Sequence, residues 1–299
     1  MKVAYVIFTR DKAHQAVHVE RQVRAAFAQT HPCEVVLSDQ GSTDGTRQLL
    51  ERLAAEYAGP HTVRVLDCPR TEARGMAGLN DHLDWLHGEL DAEIFVASAC
   101  DDDAHPERTA RLVEAFERTG ADMVGGAMYF QRPGEPGPYA RSGFTREGWV
   151  SVEDCVVQKV GGSAAPAWRR SLWQRLAPIP RICGVDVWMP PLACALGGFY
   201  FLNEPLYTYW HHADAGNTGL EGALLAAKTD AERRVIDEHR FFQTAAAWQW
   251  VAKTLLRLGV GSPKDLSAVR DAAMAHYEAW CNTREAMTLA REAPQPLRI

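Results

Sequence analysis

Two acidic sites stand out in the 299-residue chain because each follows an apolar run. The first is Asp39 in "EVVLSDQGSTDGT", and the second is the triplet Asp101, Asp102 and Asp103 in "ASACDDDAHPERTARLVEAF". A carboxylate where a strand gives way to a turn has two readings. It can begin the turn, with Ser42 or Thr43 capping the next helix by accepting a free N–H of its first turn. It can also grip a ligand, because ligands of open α/β sheets bind beyond the carboxyl ends of the strands. Three consecutive acids repel one another, a cost that a cation or a shell of donors must offset. Hard divalent cations such as Mn²⁺ or Mg²⁺ take carboxylate oxygens together with substrate phosphates. The alternative is a solvated turn whose acids favour the positive start of the following helix. Two acidic sites on one rim, a βαβ unit apart, suit a nucleotide. One would hold base or ribose, the other metal and diphosphate.

The elements that must carry these sites alternate through the first half. "VAYVIF", "EVVLS", "TVRVLD", "EIFVAS" and "DMVGGAMYF" read as strands. Between them, Ala16, Val19, Val23 and Phe27 fall at helical spacing, as do Leu49, Leu50, Leu53 and Tyr57. Pro106 stands near the start of a helix in "HPERTARLVEAFERTG". Short connections and strict alternation predict an α/β fold with a mostly parallel sheet flanked by helices. "QRPGEPGPYARSGFTREGW" reads as a long loop of the kind that binds or covers ligands. "GGSAAPAWRRSLWQRL" and "DVWMPPLACALGG" read as helices, "FYFLNEPLYTYW" as a strand, and everything after Leu220 as helical.

Composition bounds the function. The chain is soluble in character, with net charge −6, which argues against coating nucleic acid by bulk charge. From residue 122 to 181, however, bases outnumber acids, which favours an anionic partner there or a solvated face. The first apolar run is too short for a signal peptide, and no stretch reaches a membrane span. Seven scattered cysteines form no CxxC pair, so a reducing cytoplasm is expected.

"EVVLSDQGSTDGT" resembles the strand, Asp, Gly-Ser-x-Asp-Gly-Thr signature of the family 2 glycosyltransferases of the GT-A fold. The resemblance covers about residues 2–219, leaving 220–299 as a C-terminal helical extension. It implies transfer of a sugar, with inversion, from a nucleotide-sugar donor, a UDP-sugar foremost. It also implies that Asp39 holds the base, that Phe8 and Thr9 of "IFTR" pack beside it, and that Arg74 and Asn80 contact the donor. The family's Asp-x-Asp-Asp before a proline is matched by Asp101 and Asp102, with Ala99 in place of the first acid. Asp101 matches the metal ligand for Mn²⁺ or Mg²⁺, and Asp103 re-forms a D-x-D pair with it. In "RICGVDVWMPPLA" the one carboxylate, Asp186, falls where the family has its general base; a helix cap is the plainer reading. "PLYTYWHH" is similar to the segment that closes over the diphosphate, with Tyr209 and His212 matching and Trp210 replacing an arginine. His212 would ligate the metal or donate to the diphosphate.

The acceptor is left open. A glycan, a lipid-linked glycan or another anionic molecule suits the basic middle. Hydroxymethylated bases in DNA are an alternative that would need that patch and aromatics for a flipped base. Trp149, Trp168 and Trp173 could stack on sugars or bases, or simply fill the core. "WQWVAKTLLRLG" suits either packing on the catalytic domain or peripheral contact with a membrane. A rival of another class is a non-catalytic nucleotide-sugar-binding protein. A dehydrogenase is disfavoured, because no glycine-rich turn follows the first strand.

Overall fold

The computed structural model describes residues 1–73, 75–157, 166–181, 184–211 and 229–292. Four strands form its parallel half: Val3–Thr9 (β1), Glu34–Asp39 (β2), Thr62–Asp67 (β3) and Ile94–Ala99 (β4). They are bracketed by helices Ala16–Phe27 (α1), Thr46–Ala55 (α2), Gly75–Glu89 (α3) and Arg108–Thr119 (α4). Nearly every residue of β1, β2 and β4 is buried on both faces, which is why these strands are continuous apolar runs. Register brings Thr9 level with Asp39, and Asp39 level with Asp67, at the carboxyl edge.

The second half departs from simple alternation. After the two-residue strand Asp103–Ala104 (β5), Met123–Gln131 (β6) and Phe199–Trp210 (β10) run parallel to each other. Between β4 and β6 lies Ala167–Arg169 (β9), antiparallel to both. The sequence reading assigned that stretch to a helix, and the helix begins only at Arg170–Leu176 (α6). Three residues give no alternation to read, yet β9 supplies Trp168, fully buried. The Pro- and Gly-rich loop likewise contains two short antiparallel strands, Ala140–Ser142 (β7) on β6 and Gly148–Trp149 (β8) on β10. The sheet order is β3-β2-β1-β4-β9-β6-β10-β5.

Val152–Val157 (α5) and Val185–Ala195 (α7) cover one face, with Asp230–Leu258 (α8) and Pro263–Glu292 (α9) beyond. Trp188, Met189 and Leu192 of α7 share one apolar core with Phe95, Trp168, Trp173 and with Trp248, Val251 and Leu255 of α8. Trp168 and Trp173 are therefore core residues, and the C-terminal helices pack on the same core. Among the described residues, no helix is long and apolar enough to cross a membrane.

Two buried histidines of α3 brace this face. His82 shares a 2.6 Å hydrogen bond with the Ser38 hydroxyl, and the Trp168 indole N–H donates to His87 Nε2 at 2.7 Å. Burial pushes both imidazoles down to about 3. Below the ordinary imidazole pKa of about 6.5 the unfolded chain takes up protons that the folded chain refuses. Stability should thus fall from about pH 6.5 towards about pH 3, by about 1.4 kcal/mol per pH unit for each histidine. Urea midpoints across that range should show the slope, and His87→Gln should remove about half of it, leaving the share of His82. An equally steep slope in the variant would mean that His87 does not carry it.

Candidate active site

The carboxyl edge of β1 to β4 is a set of interlocked turns. Asp39 is 2% exposed; its carboxylate accepts the Ser42 N–H at 2.8 Å, the Ser42 hydroxyl, and the Thr9 hydroxyl at 3.3 Å. Ser42 Oγ in turn accepts the Asp11 N–H at 2.8 Å, and Asp11 accepts the Thr43 N–H at 3.0 Å. Asp44, just before the Gly45 N-cap of α2, accepts the Thr46 N–H at 3.0 Å and ties in the Ala13 N–H at 2.9 Å. Gly41 is required between them: its φ is +67°, and a Cβ there would lie 2.5 Å from the Thr71 methyl. The polar residues of "DQGSTDGT" thus bind the β1 and β2 loops to each other. Asp39 makes the turn, but neither Ser42 nor Thr43 caps the helix that follows: both are engaged with Asp39 and Asp11, and the N-cap is Gly45. A carboxylate has about four acceptor sites, so the turn does not exhaust it.

Arg10 and Gln40 extend the interlocking. Arg10 donates to the carbonyls of Thr71, at 2.6 Å, and Ala73, and Gln40 donates to those of Arg70 at 2.7 Å and Gly78 at 2.9 Å. This fixes the loop leading to residue 74. Phe8 is half-buried at the end of β1, level with Ser38 and Ala99.

The acid triplet lies on the same edge, two strands away, about 10 Å at the usual strand spacing. Its three members have different surroundings. Asp101, 5% exposed, has the Lys12 ammonium at 3.5 Å, and its backbone carbonyl accepts from Arg21 at 2.9 Å. Asp102 accepts the Tyr207 hydroxyl at 3.0 Å and the Trp210 N–H at 3.1 Å. Burial, then the neighbouring Asp101 charge, pushes its carboxyl up to about 8. Asp103 pairs with Thr208 across β5 and β10; burial raises its carboxyl, opposed by Arg21. The Arg21 guanidinium lies 4.2 Å from the centroid of the Trp210 ring. A guanidinium from α1 therefore sits on the side chain that replaces the expected arginine. Beneath the triplet, the buried Arg108 donates to the Ala97 carbonyl at 2.9 Å and stacks 4.9 Å from the Tyr207 ring.

Lys12, Arg21 and Tyr207 escaped the sequence reading. Lys12 had a weak signal, because "TRDK" follows the first strand directly. Arg21 had none, since a lone arginine on an amphipathic helix reads as its solvated face.

Asp186 lies in the first turn of α7, two residues after the Gly184 N-cap, and is half-buried. Asn80 is 1% exposed and donates to the Pro180 carbonyl at 2.7 Å, while Asp81 pairs with Arg181. Asn80 thereby holds the segment that leads into α7. Arg74 and His212 lie outside the described residues. Among the described residues no three His, Cys, Asp or Glu side chains are grouped to hold a metal by themselves. The carboxylates of Asp101 and Asp103 are hard oxygen donors of the kind that Mg²⁺ or Mn²⁺ uses when substrate phosphates complete its shell. The donor set fits an ion that arrives with a diphosphate.

Comparison with known proteins agrees with this architecture. The model for Glycosyl transferase family 2 matches residues 14–163. No curated protein matches the chain. Among solved structures, TarS 1-349 of S. aureus superposes with a TM-score of 0.59 at 14% identity, covering all of this chain and 93% of that one. Its complex with UDP-GlcNAc gives 0.57 at 14% identity, over 85% of this chain and 72% of that one. The mannosyltransferase PcManGT from Pyrobaculum calidifontis, in complex with GDP-Man and Mn²⁺, gives 0.61 at 16% identity, over 98% and 76%. At such identities the structural likeness speaks for the fold, while the family model spans half of the chain. The chain therefore belongs to glycosyl transferase family 2, enzymes that transfer a sugar from a nucleotide sugar.

Proposed function

We propose an inverting, metal-assisted transfer from a nucleoside-diphosphate sugar to the hydroxyl of a glycan or other anionic acceptor. The catalytic unit would be residues 1–219, with 220–299 as its helical extension. The observation that carries the reading is the carboxyl edge itself: Asp39 beside Thr9, and Asp101 two strands along, in a chain of this family. Asp39, with Phe8 and Thr9, would receive the base, and Arg74 would reach the donor. Asn80 would act from behind, through the segment it holds. UDP-GlcNAc and GDP-Man bind the two structural relatives, so a uracil or guanine donor is the first to test.

Asp101 and Asp103, with His212, would hold Mn²⁺ or Mg²⁺. Mn²⁺ accompanies GDP-Man in PcManGT. Such an ion would neutralise charge on the leaving diphosphate. Lys12 and Arg21 add fixed positive charge at the same place, from the chain's own side chains. Asp102, held by Tyr207 and Trp210, would keep the closing strand β10 against the acid turn. Asp186 would take the proton of the acceptor hydroxyl.

Donor hydrolysis across UDP-, GDP- and dTDP-sugars, with Mn²⁺ or with excess EDTA, tests the reading. Activity should require the metal, and Asp101→Asn should damage it more than Asp103→Asn. Full turnover in excess EDTA would remove the metal from the mechanism.

A further inference from the structure

Each acid of the triplet meets a partner that the chain itself supplies. Asp102 has a donor on each oxygen, the Tyr207 hydroxyl at 3.0 Å and the Trp210 N–H at 3.1 Å. Asp103 faces the Arg21 guanidinium, which opposes the effect of burial on its carboxyl. Asp101, itself buried, has the Lys12 ammonium at 3.5 Å. The repulsion expected of three consecutive acids is thus offset by resident cations and donors. A divalent ion at Asp101 does not enter an uncompensated cluster. It has to contend with a lysine.

The two cations are held differently. Arg21 is pinned, stacked 4.2 Å from the Trp210 ring centroid and donating to the Asp101 carbonyl at 2.9 Å. Lys12 is anchored by its backbone and loose at its tip. Its N–H donates to the Thr46 hydroxyl at 2.6 Å, at the start of α2. Just before it, Asp11 turns the chain at a φ of +50° and is tied to Ser42 and Thr43 of the Asp39 turn. The ammonium then reaches Gln15 at 3.2 Å and Asp101 at 3.5 Å, both longer than a tight charge-assisted bond of about 2.8 Å. The side chain is only 14% exposed, so salt and water screen its charge weakly. Lys12 therefore spans from the Asp39 turn to the acid turn, and its tip is the cation able to change partners.

We propose that Lys12 is a resident counter-ion that competes with the divalent ion for Asp101 and gives way to it when a nucleoside diphosphate binds. The inference rests on the proposed metal site at Asp101. Two cations on one carboxylate repel, the more strongly where water is largely excluded. Without nucleotide, the lysine keeps the affinity of Asp101 for a divalent ion low. A diphosphate between the two turns offers the ammonium a more highly charged partner than one carboxylate. The flexible four-carbon stem lets Lys12 take that partner without moving its backbone, and Asp101 then has an oxygen to give. Nucleotide and ion thus favour each other's binding, by the same factor in each direction. Lys12 acts on the ion through Asp101, as a positioning residue.

Calorimetry and melting curves on the full chain test this, with Mn²⁺ as the probe, alone and with saturating UDP or GDP. The proteins are the wild type, Lys12→Met, which keeps the stem but not the charge, and Lys12→Arg, which keeps the charge. Lys12→Met should bind Mn²⁺ alone about tenfold or more tighter than the wild type. Mn²⁺ should also raise its melting temperature further than that of the wild type. Lys12→Arg should bind Mn²⁺ no more tightly than the wild type. The nucleotide should strengthen Mn²⁺ binding in the wild type, and should do so about tenfold less in Lys12→Met. Mn²⁺ affinity in Lys12→Met equal to or below that of the wild type would overturn the inference, as would equal tightening by Lys12→Arg. Mn²⁺ binding that ignores residue 12 would leave the proposed metal site standing without the competition. Mn²⁺ binding by none of the proteins, with or without nucleotide, would remove the metal site and the competition together.

Discussion

Asp186→Asn is expected to keep donor affinity and to lower transfer by roughly 10²–10⁴, the usual worth of a general base. The expectation rests on its place and its chemistry. Asp186 begins α7, whose buried face is locked by Trp188, Met189 and Leu192. The segment leading into the helix is tied to α3 through Asn80 and Pro180. A carboxylate in the first turn of a helix is favoured in its charged form, which a base requires. Asparagine keeps the volume and loses the proton affinity. Single-turnover transfer, beside calorimetric titration of the nucleotide, separates the two roles. Equal losses in binding and transfer, with a lowered melting temperature, would make Asp186 a structural cap. Transfer like that of the wild type would move the search for the base to Asp214, which lies outside the described residues.

Asp39→Ala should weaken nucleotide binding by about 1–3 kcal/mol, the worth of a hydrogen bond to a charged group. Here the structure adds a complication. The same carboxylate accepts from Ser42 and Thr9, so alanine also loosens the turn that joins the β1 and β2 loops. Asp39→Asn discriminates between these effects. It retains one oxygen for the Ser42 N–H but loses the charge and half the acceptor capacity. Comparable losses of affinity in both variants, with only alanine lowering the melting temperature, would assign Asp39 to the base. Unchanged affinity of both for UDP and GDP would leave it the turn alone.

Much of the catalytic half was legible in the sequence. Apolar runs ending in polar turns declare strands buried on both faces, and helical spacing declares the cover. Both are local properties, whereas the "DQGSTDGT" turn is only partly so, because Asp39, Ser42, Thr43 and Asp44 also bond to the β1 loop some thirty residues upstream. Long-range pairing was not legible. β9 is three residues long and antiparallel between two parallel strands, a placement that only Trp168 seeking the core explains. Nor could spacing show that Asp102 belongs to Tyr207 and Trp210, a hundred residues downstream, while Asp101 faces Lys12. Three identical side chains in a row acquired different surroundings because the turn after β4 meets β10 on one side and the β1 loop on the other. The sequence by itself determined which chemistry the chain carries. The tertiary structure decided which acid meets which cation, because charge interactions depend on distances that folding sets between remote segments.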